Sequence, residues 1–220
     1  MWNHHLYSSE VSESLSRKRR STAIGDASTE SILDLLCSID EQVTGFLCIC
    51  ARPRKPWEKL LEFCCKSLEF SGHGVLWFVL CGCLAAAYAL TNENMYWIYS
   101  ANLFVLLVVD IAFVAPLKLL FKRPRPAMNI GEIPFSVSSV DNYAFPSGHA
   151  SRCVALAAYF CYMPPFLLRT HLWYLWAIAM SLSRVLIGRH HFSDIVAGGC
   201  AGLVIFEAVR RLWLPLVLDD

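Results

Sequence analysis

Charge is what this chain has least of. Only 17% of its 220 residues are Asp, Glu, Lys or Arg, while 56% are hydrophobic; soluble domains average about 25% and about 45–50%. The formal net charge is +1, which removes the uniform positive field that nucleic-acid binding draws on, so no nucleic-acid partner is expected. No CxxC pair occurs among the ten cysteines, which excludes a zinc ribbon or a thioredoxin-like redox site. Most cysteines read as small hydrophobes. Cys64 and Cys65, just ahead of the first long apolar run, are candidates for reversible palmitoylation. No internal repeat is visible. Residues 1–30 lack any apolar run, so they read as neither signal peptide nor core. They are Ser-rich around Arg17-Lys18-Arg19-Arg20 and read as a disordered tail, whose basic cluster is first a solvated charge run that orients the first span, with a localisation signal or a contact for anionic lipid as alternatives.

What the chain has in quantity is apolar length. Residues 31–50 mix Ile32, Leu33, Leu35, Leu36 and Ile39 with Asp34, Asp40 and Glu41. Three carboxylates make a spanning helix expensive, so an interfacial amphipathic helix is expected, capped by Ser31 or Asp34. Arg52-Pro53-Arg54-Lys55-Pro56 breaks the chain. Residues 57–70 read as a second in-plane helix, with Trp57, Leu60, Leu61 and Phe63 on one side and Glu58, Lys59 and Glu62 on the other. Five runs then approach bilayer length, about 17–25 residues: Val75–Leu90, Ile98–Leu117, Ala150–Leu168 with Pro164-Pro165 near its far end, Leu172–Ile187, and Ile195–Leu214. The expected fold is therefore all-α: a multi-pass transmembrane helical bundle of about five spans behind N-terminal interfacial amphipathic helices. The expected divisions are a tail over 1–30, interfacial helices over 31–72 and the membrane domain over 73–220.

Three polar stretches interrupt this apolar background. Lys118 to Pro126 ends the second run, Pro146-Ser147-Gly148-His149 begins the third, and Ser183 to Asp194 joins the fourth to the fifth. In an antiparallel bundle all three fall at the same membrane edge. Arg offers a planar fork for two oxygens and Lys a point charge, so Lys118, Arg125 and Arg184 suit a phosphoryl group. The basic residues Lys122 and Arg123 read as side chains snorkelling from a helix end. Pro146 and Ser147 favour a helix start, whose backbone N–H groups bind anions, and Gly148 allows close approach. His149 stands beside them, placed to be a general acid. Asp194 lies four residues after His190, close enough for its carboxylate to accept from one imidazole nitrogen and leave the other free as a nucleophile. Asp194 equally suits an N-cap, and spacing alone does not choose between His190 and His191.

Lys118-x6-Arg125-Pro126, Pro146-Ser147-Gly148-His149 and Ser183-Arg184-x5-His190-x3-Asp194 resemble the three-part signature of the type-2 phosphatidic acid phosphatase superfamily. All three parts match in order, and the resemblance covers roughly residues 70–214. It implies a metal-independent, cofactor-free phosphatase. By the resemblance, His190 attacks phosphorus to give a phosphohistidine, Asp194 orients it, and His149 protonates the leaving oxygen and then activates water. Lys118, Arg125, Ser147, Gly148 and Arg184 would hold the phosphoryl oxygens. The short form with an amphipathic N-terminal region looks like the polyisoprenoid and presqualene diphosphate phosphatases, which implies a phosphorylated lipid substrate within the bilayer, such as farnesyl or geranylgeranyl diphosphate, and an endoplasmic-reticulum and nuclear-envelope location. Phosphatidate, lysophosphatidate or sphingoid phosphates form the alternative substrate class. An inactive membrane scaffold should have lost His190, His149 or Asp194, and a vanadate haloperoxidase shares the pattern but is soluble.

Asp110 inside the second run is expected to make a structural hydrogen bond, and Glu207 to pair with Arg210 or Arg211. Orientation stays open: the basic tail argues for a cytoplasmic N-terminus and site, whereas Arg210 and Arg211 argue the opposite, and a spanning 31–50 segment would turn the site to the lumen. Sequence does not give the oligomeric state.

Overall fold

A computed structural model of the chain describes residues 29–127, 142–163 and 170–213. The basic tail and the Pro164-Pro165 pair lie outside the described residues. Regular structure among the described residues is helical: α1 (Thr29–Leu47), α2 (Pro56–Ser71), α3 (Gly74–Thr91), α4 (Asn94–Phe121), α5 (Gly148–Tyr162), α6 (Thr170–Leu186) and α7 (Phe192–Arg210). The chain divides into two compact units, Met1–Ile39 and Asp40–Asp220. In the first, α1 begins at Thr29, ahead of both expected caps, and exposes Ile32, Leu35, Leu36 and Ile39. That i, i+3, i+4, i+7 stripe has the spacing of an interfacial helix.

In the second unit α2 opens with Pro56 in its first turn. Glu58, expected on the solvated face, is instead buried: its Oε2 accepts from the backbone N–H of Arg54 at 2.7 Å and of Lys55 at 3.0 Å. It satisfies donors that a helix start otherwise leaves unpaired. The expected apolar side of α2 divides in two. Trp57, Leu60 and Phe63 are exposed, whereas Leu61 and Cys65 pack with Cys50 and Ile187. Cys64 remains exposed, but Cys65 is buried among these neighbours and is no longer an acyl acceptor without unpacking.

Asn92, in the left-handed region at φ 57°, ends α3, and two residues later α4 begins. The hairpin is fastened by Ser100 Oγ donating to the Cys81 carbonyl at 2.9 Å. α3, α4 and α7 are each long and apolar enough to cross a membrane. α5, at 15 residues, is shorter than the run read from sequence and stops at Tyr162, whereas α6, at 17 residues, matches its run to within two residues at either end.

α5 is nearly enclosed, with Ala150, Ser151, Cys153 and every residue from Ala155 to Phe160 buried. Its small residues face a Gly-x-x-x-Gly pair on α7. A Cβ placed on Gly198 would stand 2.4 Å from the Ser147 carbonyl oxygen, and one on Gly202 would stand 2.3 Å from that of Ser151. No side chain fits there, so backbone meets backbone, as small-residue motifs permit between membrane helices. Asp110 of α4 is 1% exposed and bound twice by α5: Oδ1 accepts from Ser151 Oγ at 2.7 Å and Oδ2 lies 3.1 Å from Arg152 Nη2. The expected structural hydrogen bond is thus joined by an ion pair. Glu207 pairs with both Arg210, at 2.7 Å, and Arg211, at 3.4 Å.

Candidate active site

Lys118 occupies the last turn of α4 and is buried. Lys122, in the left-handed region at φ 45°, ends the helix, and the chain then runs extended through Pro124 and Pro126, half-burying Arg125 between them. Ser147 is the N-cap of α5, its Oγ accepting from the Ala150 N–H at 3.4 Å. Gly148 starts that helix; a Cβ there would meet only Val114, at an ordinary 3.5 Å, so packing does not demand the glycine. His149 follows, and its buried Nε2 has no hydrogen-bond partner among the described residues.

The α6–α7 loop folds back on itself because Gly188 adopts φ 73°, a conformation open to glycine at little cost. That turn lets the N–H groups of Arg189 and His190 reach the Arg184 carbonyl, at 2.9 and 3.2 Å. Arg184, Arg189, His190, His191 and Asp194 are all buried.

Four bonds lace the three stretches together. The Ala144 N–H donates to the Arg123 carbonyl at 2.9 Å, and the Ser147 N–H to the Asp194 carbonyl at 3.0 Å. Arg125 Nη1 donates to the Arg189 carbonyl at 3.2 Å. His190 Nδ1 lies 2.8 Å from the Ala144 carbonyl, which can only accept, so Nδ1 carries the proton and Nε2 the lone pair. Arg125 and Arg184 act electrostatically on His190, and Arg184, Lys118 and His190 on His149. The three stretches therefore converge.

The surroundings keep the His190 imidazole neutral. Burial pushes its pKa down, the Arg125 and Arg184 guanidiniums push the same way, and the nearby Asp194 carboxylate opposes them without prevailing; the result is about 3.

Asp194 and Arg123 differ from expectation. The Asp194 carboxylate is not the hydrogen-bond acceptor for His190: Oδ2 stands 3.7 Å from His190 Nδ1. It accepts instead from the His191 N–H at 2.7 Å and lies 3.2 Å from His191 Nδ1. His191, not Asp194, is the N-cap of α7, and Asp194 completes the capping box from the third helical position. Arg123 does not snorkel. Its Nη1 donates to Ser193 Oγ and Asp194 Oδ1, both at 2.7 Å, and its Nη2 to Asp40 Oδ2 at 2.6 Å. Asp40 also accepts from the Ser193 N–H at 2.9 Å and Oγ at 2.6 Å. The end of α1 thus clamps the start of α7, helped by the Phe192 N–H donating to Thr44 Oγ1 at 3.0 Å. Burial would raise the Asp40 carboxyl, but its bonds from Ser193 and Arg123 outweigh it and hold it below the ordinary carboxylate range.

Glu69 did not stand out in the sequence, and Arg189 was visible only as the second arginine of the Ser183 to Asp194 stretch. Glu69 of α2 lies 3.0 Å from Arg184 Nη1 and 3.8 Å from Arg189 Nη1. Burial works to raise its carboxyl, and the Arg184 and Arg189 guanidiniums reverse that and hold it below the usual range. The Gly198-x-x-x-Gly202 pair on α7 was not read from the sequence, although its spacing is a known helix-packing signal.

Among solved structures, the chain is similar to the transmembrane PAP2-type phosphatidylglycerolphosphate phosphatase of Bacillus subtilis, with TM-score 0.55 and 21% identity over 81% of this chain and 86% of that one. Aquifex aeolicus LpxE gives TM-score 0.55 and 18% identity over 76% and 93%. At these identities the likeness concerns the fold. By sequence, the chain is 35% identical to the probable lipid phosphate phosphatase beta of Arabidopsis thaliana, over 44% of this chain and 58% of that protein. It is 32% identical to the inositol phosphorylceramide synthase of Candida albicans, over 37% of this chain and 17% of that protein. The chain therefore spans less than two thirds of either relative. The family model of the PAP2 superfamily matches residues 99–216, a stretch holding all three polar segments and more than half of the length, so the chain belongs to the PAP2 superfamily.

Proposed function

We propose that this protein is an integral-membrane lipid phosphatase working through a phosphohistidine at His190. The observation that carries the reading is the meeting of a neutral imidazole, His190, with Arg125, Arg184 and His149 at one end of the bundle. The likeness to a probable lipid phosphate phosphatase points the same way. In the first step His190 Nε2 attacks the terminal phosphorus, the bond from that phosphorus to the leaving oxygen breaks (the bridging oxygen of a diphosphate, which departs as the lipid monophosphate, or the ester oxygen of a monophosphate), and protonated His149 gives its proton to that oxygen. In the second, water attacks the phosphohistidine, His149 takes the proton, and inorganic phosphate leaves with His190 restored. Lys118, Arg125, Ser147, the Gly148 amide and Arg184 stabilise charge on the transferring group. Asp194 acts on His190 through its field rather than by a direct bond.

The substrate class we assign is a polyisoprenoid diphosphate, such as farnesyl, geranylgeranyl or presqualene diphosphate, in the endoplasmic reticulum and nuclear envelope. Phosphatidate, lysophosphatidate and sphingoid phosphates form the competing class. Purified protein in detergent micelles, assayed for phosphate release from farnesyl diphosphate and from phosphatidate, tests both levels. Turnover of the diphosphate with the larger kcat/KM supports the assignment, and preference for phosphatidate replaces it. The variant His190→Ala should fold and insert but lose turnover; near wild-type rates would remove His190 as nucleophile.

A further inference from the structure

Glu69 lies outside the family-matched residues 99–216 and outside the three polar stretches. It comes from α2, whose Trp57, Leu60, Phe63 and Phe70 are exposed. Its carboxylate stands between two guanidiniums, 3.0 Å from Arg184 Nη1 and 3.8 Å from Arg189 Nη1. Both arginines are withdrawn from solvent, at 2% and 8% exposure. Yet Arg184 Nε and Nη1 and Arg189 Nη1 make no hydrogen bond among the described residues. Glu69 thus balances the charge of both arginines, while three of their nitrogens take no well-aligned hydrogen bond among the described residues.

A buried guanidinium needs both a counter-charge and bonds for its N–H groups. Glu69 meets the first need. The second stays open, which is the state expected of donors reserved for an anion that comes and goes. Without the carboxylate, Arg184 and Arg189 would repel each other and would repel Arg125, which itself bonds the Arg189 carbonyl. They would then move toward water and lose their aim.

We propose that Glu69 is a positioning residue for the phosphoryl-binding Arg184, contributed to the site by the interfacial helix α2. It holds Arg184 in place, with Arg189 packed beside it, by balancing their charge while leaving nitrogens of Arg184 open to phosphoryl oxygens. The proposal rests on the reading of Arg184 as a phosphoryl ligand. It differs from a placeholder role, in which Glu69 would occupy the arginines until phosphate displaced it.

Orthovanadate, an inorganic mimic of the transferring phosphoryl group, tests this without reference to the lipid. The variant Glu69→Gln keeps size and loses charge; kcat/KM should fall about 10–100-fold, the range known for residues that orient ligands at metal sites, and vanadate inhibition should weaken by a similar factor. Glu69→Asp keeps the charge on a shorter arm and should retain more of both. Tighter vanadate inhibition in Glu69→Gln would overturn the proposal in favour of a placeholder. Wild-type behaviour in Glu69→Gln, or an Asp variant worse than the Gln variant, would also overturn it, by assigning Glu69 to packing alone. If the Gln variant does not fold, Glu69→Ala takes its place beside Glu69→Asp: vanadate inhibition several-fold weaker in Ala than in Asp supports positioning, and wild-type inhibition in Ala removes it. Vanadate-induced shifts in thermal midpoint separate this inference from the wider reading. A wild-type protein that hydrolyses neither lipid class but is stabilised by vanadate through Glu69 would lose the proposed function and keep the positioning role.

Discussion

His190 donates from Nδ1 to the main-chain carbonyl of Ala144 over 2.8 Å, across forty-six residues of sequence. A carbonyl oxygen accepts at every accessible pH, so the tautomer it selects does not titrate, as one held by a carboxylate would. The Asp194 carboxylate is left to the helix cap and to Arg123.

Neutrality of His190 gives a pH dependence of stability. An unfolded histidine binds a proton below about 6.5, whereas folded His190 does so only near 3. Between those values the unfolded state holds the extra proton, so stability falls as pH falls, with a slope of at most about 1.4 kcal/mol per pH unit. Unfolding midpoints in detergent from pH 7 to pH 5 should drop for the wild type and drop less steeply for His190→Asn. Identical slopes would show that His190 does not titrate as its burial dictates.

The Arg123 clamp predicts that conservative exchange will not be conservative. Arg123 serves Asp40, Asp194 and Ser193 with one planar fork, and a lysine cannot reproduce that geometry. Arg123→Lys and Arg123→Gln should both destabilise by about 2–4 kcal/mol and lower kcat. Asp40→Asn, which keeps shape but loses charge, should cost less. Denaturation in micelles measures the order, and a Lys variant at wild-type stability would show that the charge alone suffices.

Two glycines of one helix should part company. Gly202→Ala drives a methyl to 2.3 Å from the Ser151 carbonyl oxygen, so α7 must separate from α5. A loss of about 1–3 kcal/mol or more is expected, with loss of turnover as His149 and His190 move apart. Gly199→Ala meets only a Val154 methyl at 3.7 Å and should be tolerated. Melting and phosphate-release assays on the pair read the contrast; equal behaviour would show that backbone contact does not set the α5–α7 distance.

The three polar stretches were legible because dense polarity beside apolar runs is rare, and the order of the runs places them at one edge. Arg123 was misread because a basic residue at a helix end has one signature whether it snorkels or clamps. Its partner Asp40 is 83 residues away, on a helix whose carboxylates read as ordinary amphipathic decoration. Ala144 was invisible for a deeper reason: it acts through a carbonyl, which every residue owns. Glu69 resembled any other charge on an in-plane helix until α2 was seen against α6. The extent of α5 was overestimated because apolar composition does not mark where a helix stops.

Asp110 and Arg152 lastly bear on what keeps α4 and α5 together. Each would raise the cost of its own helix entering lipid alone, by about 2.5–3.5 kcal/mol per charge at the bilayer centre. Paired across 3.1 Å, they neutralise one another. Parting α5 from α4 would therefore strand a carboxylate and a guanidinium at once, each without its counter-charge.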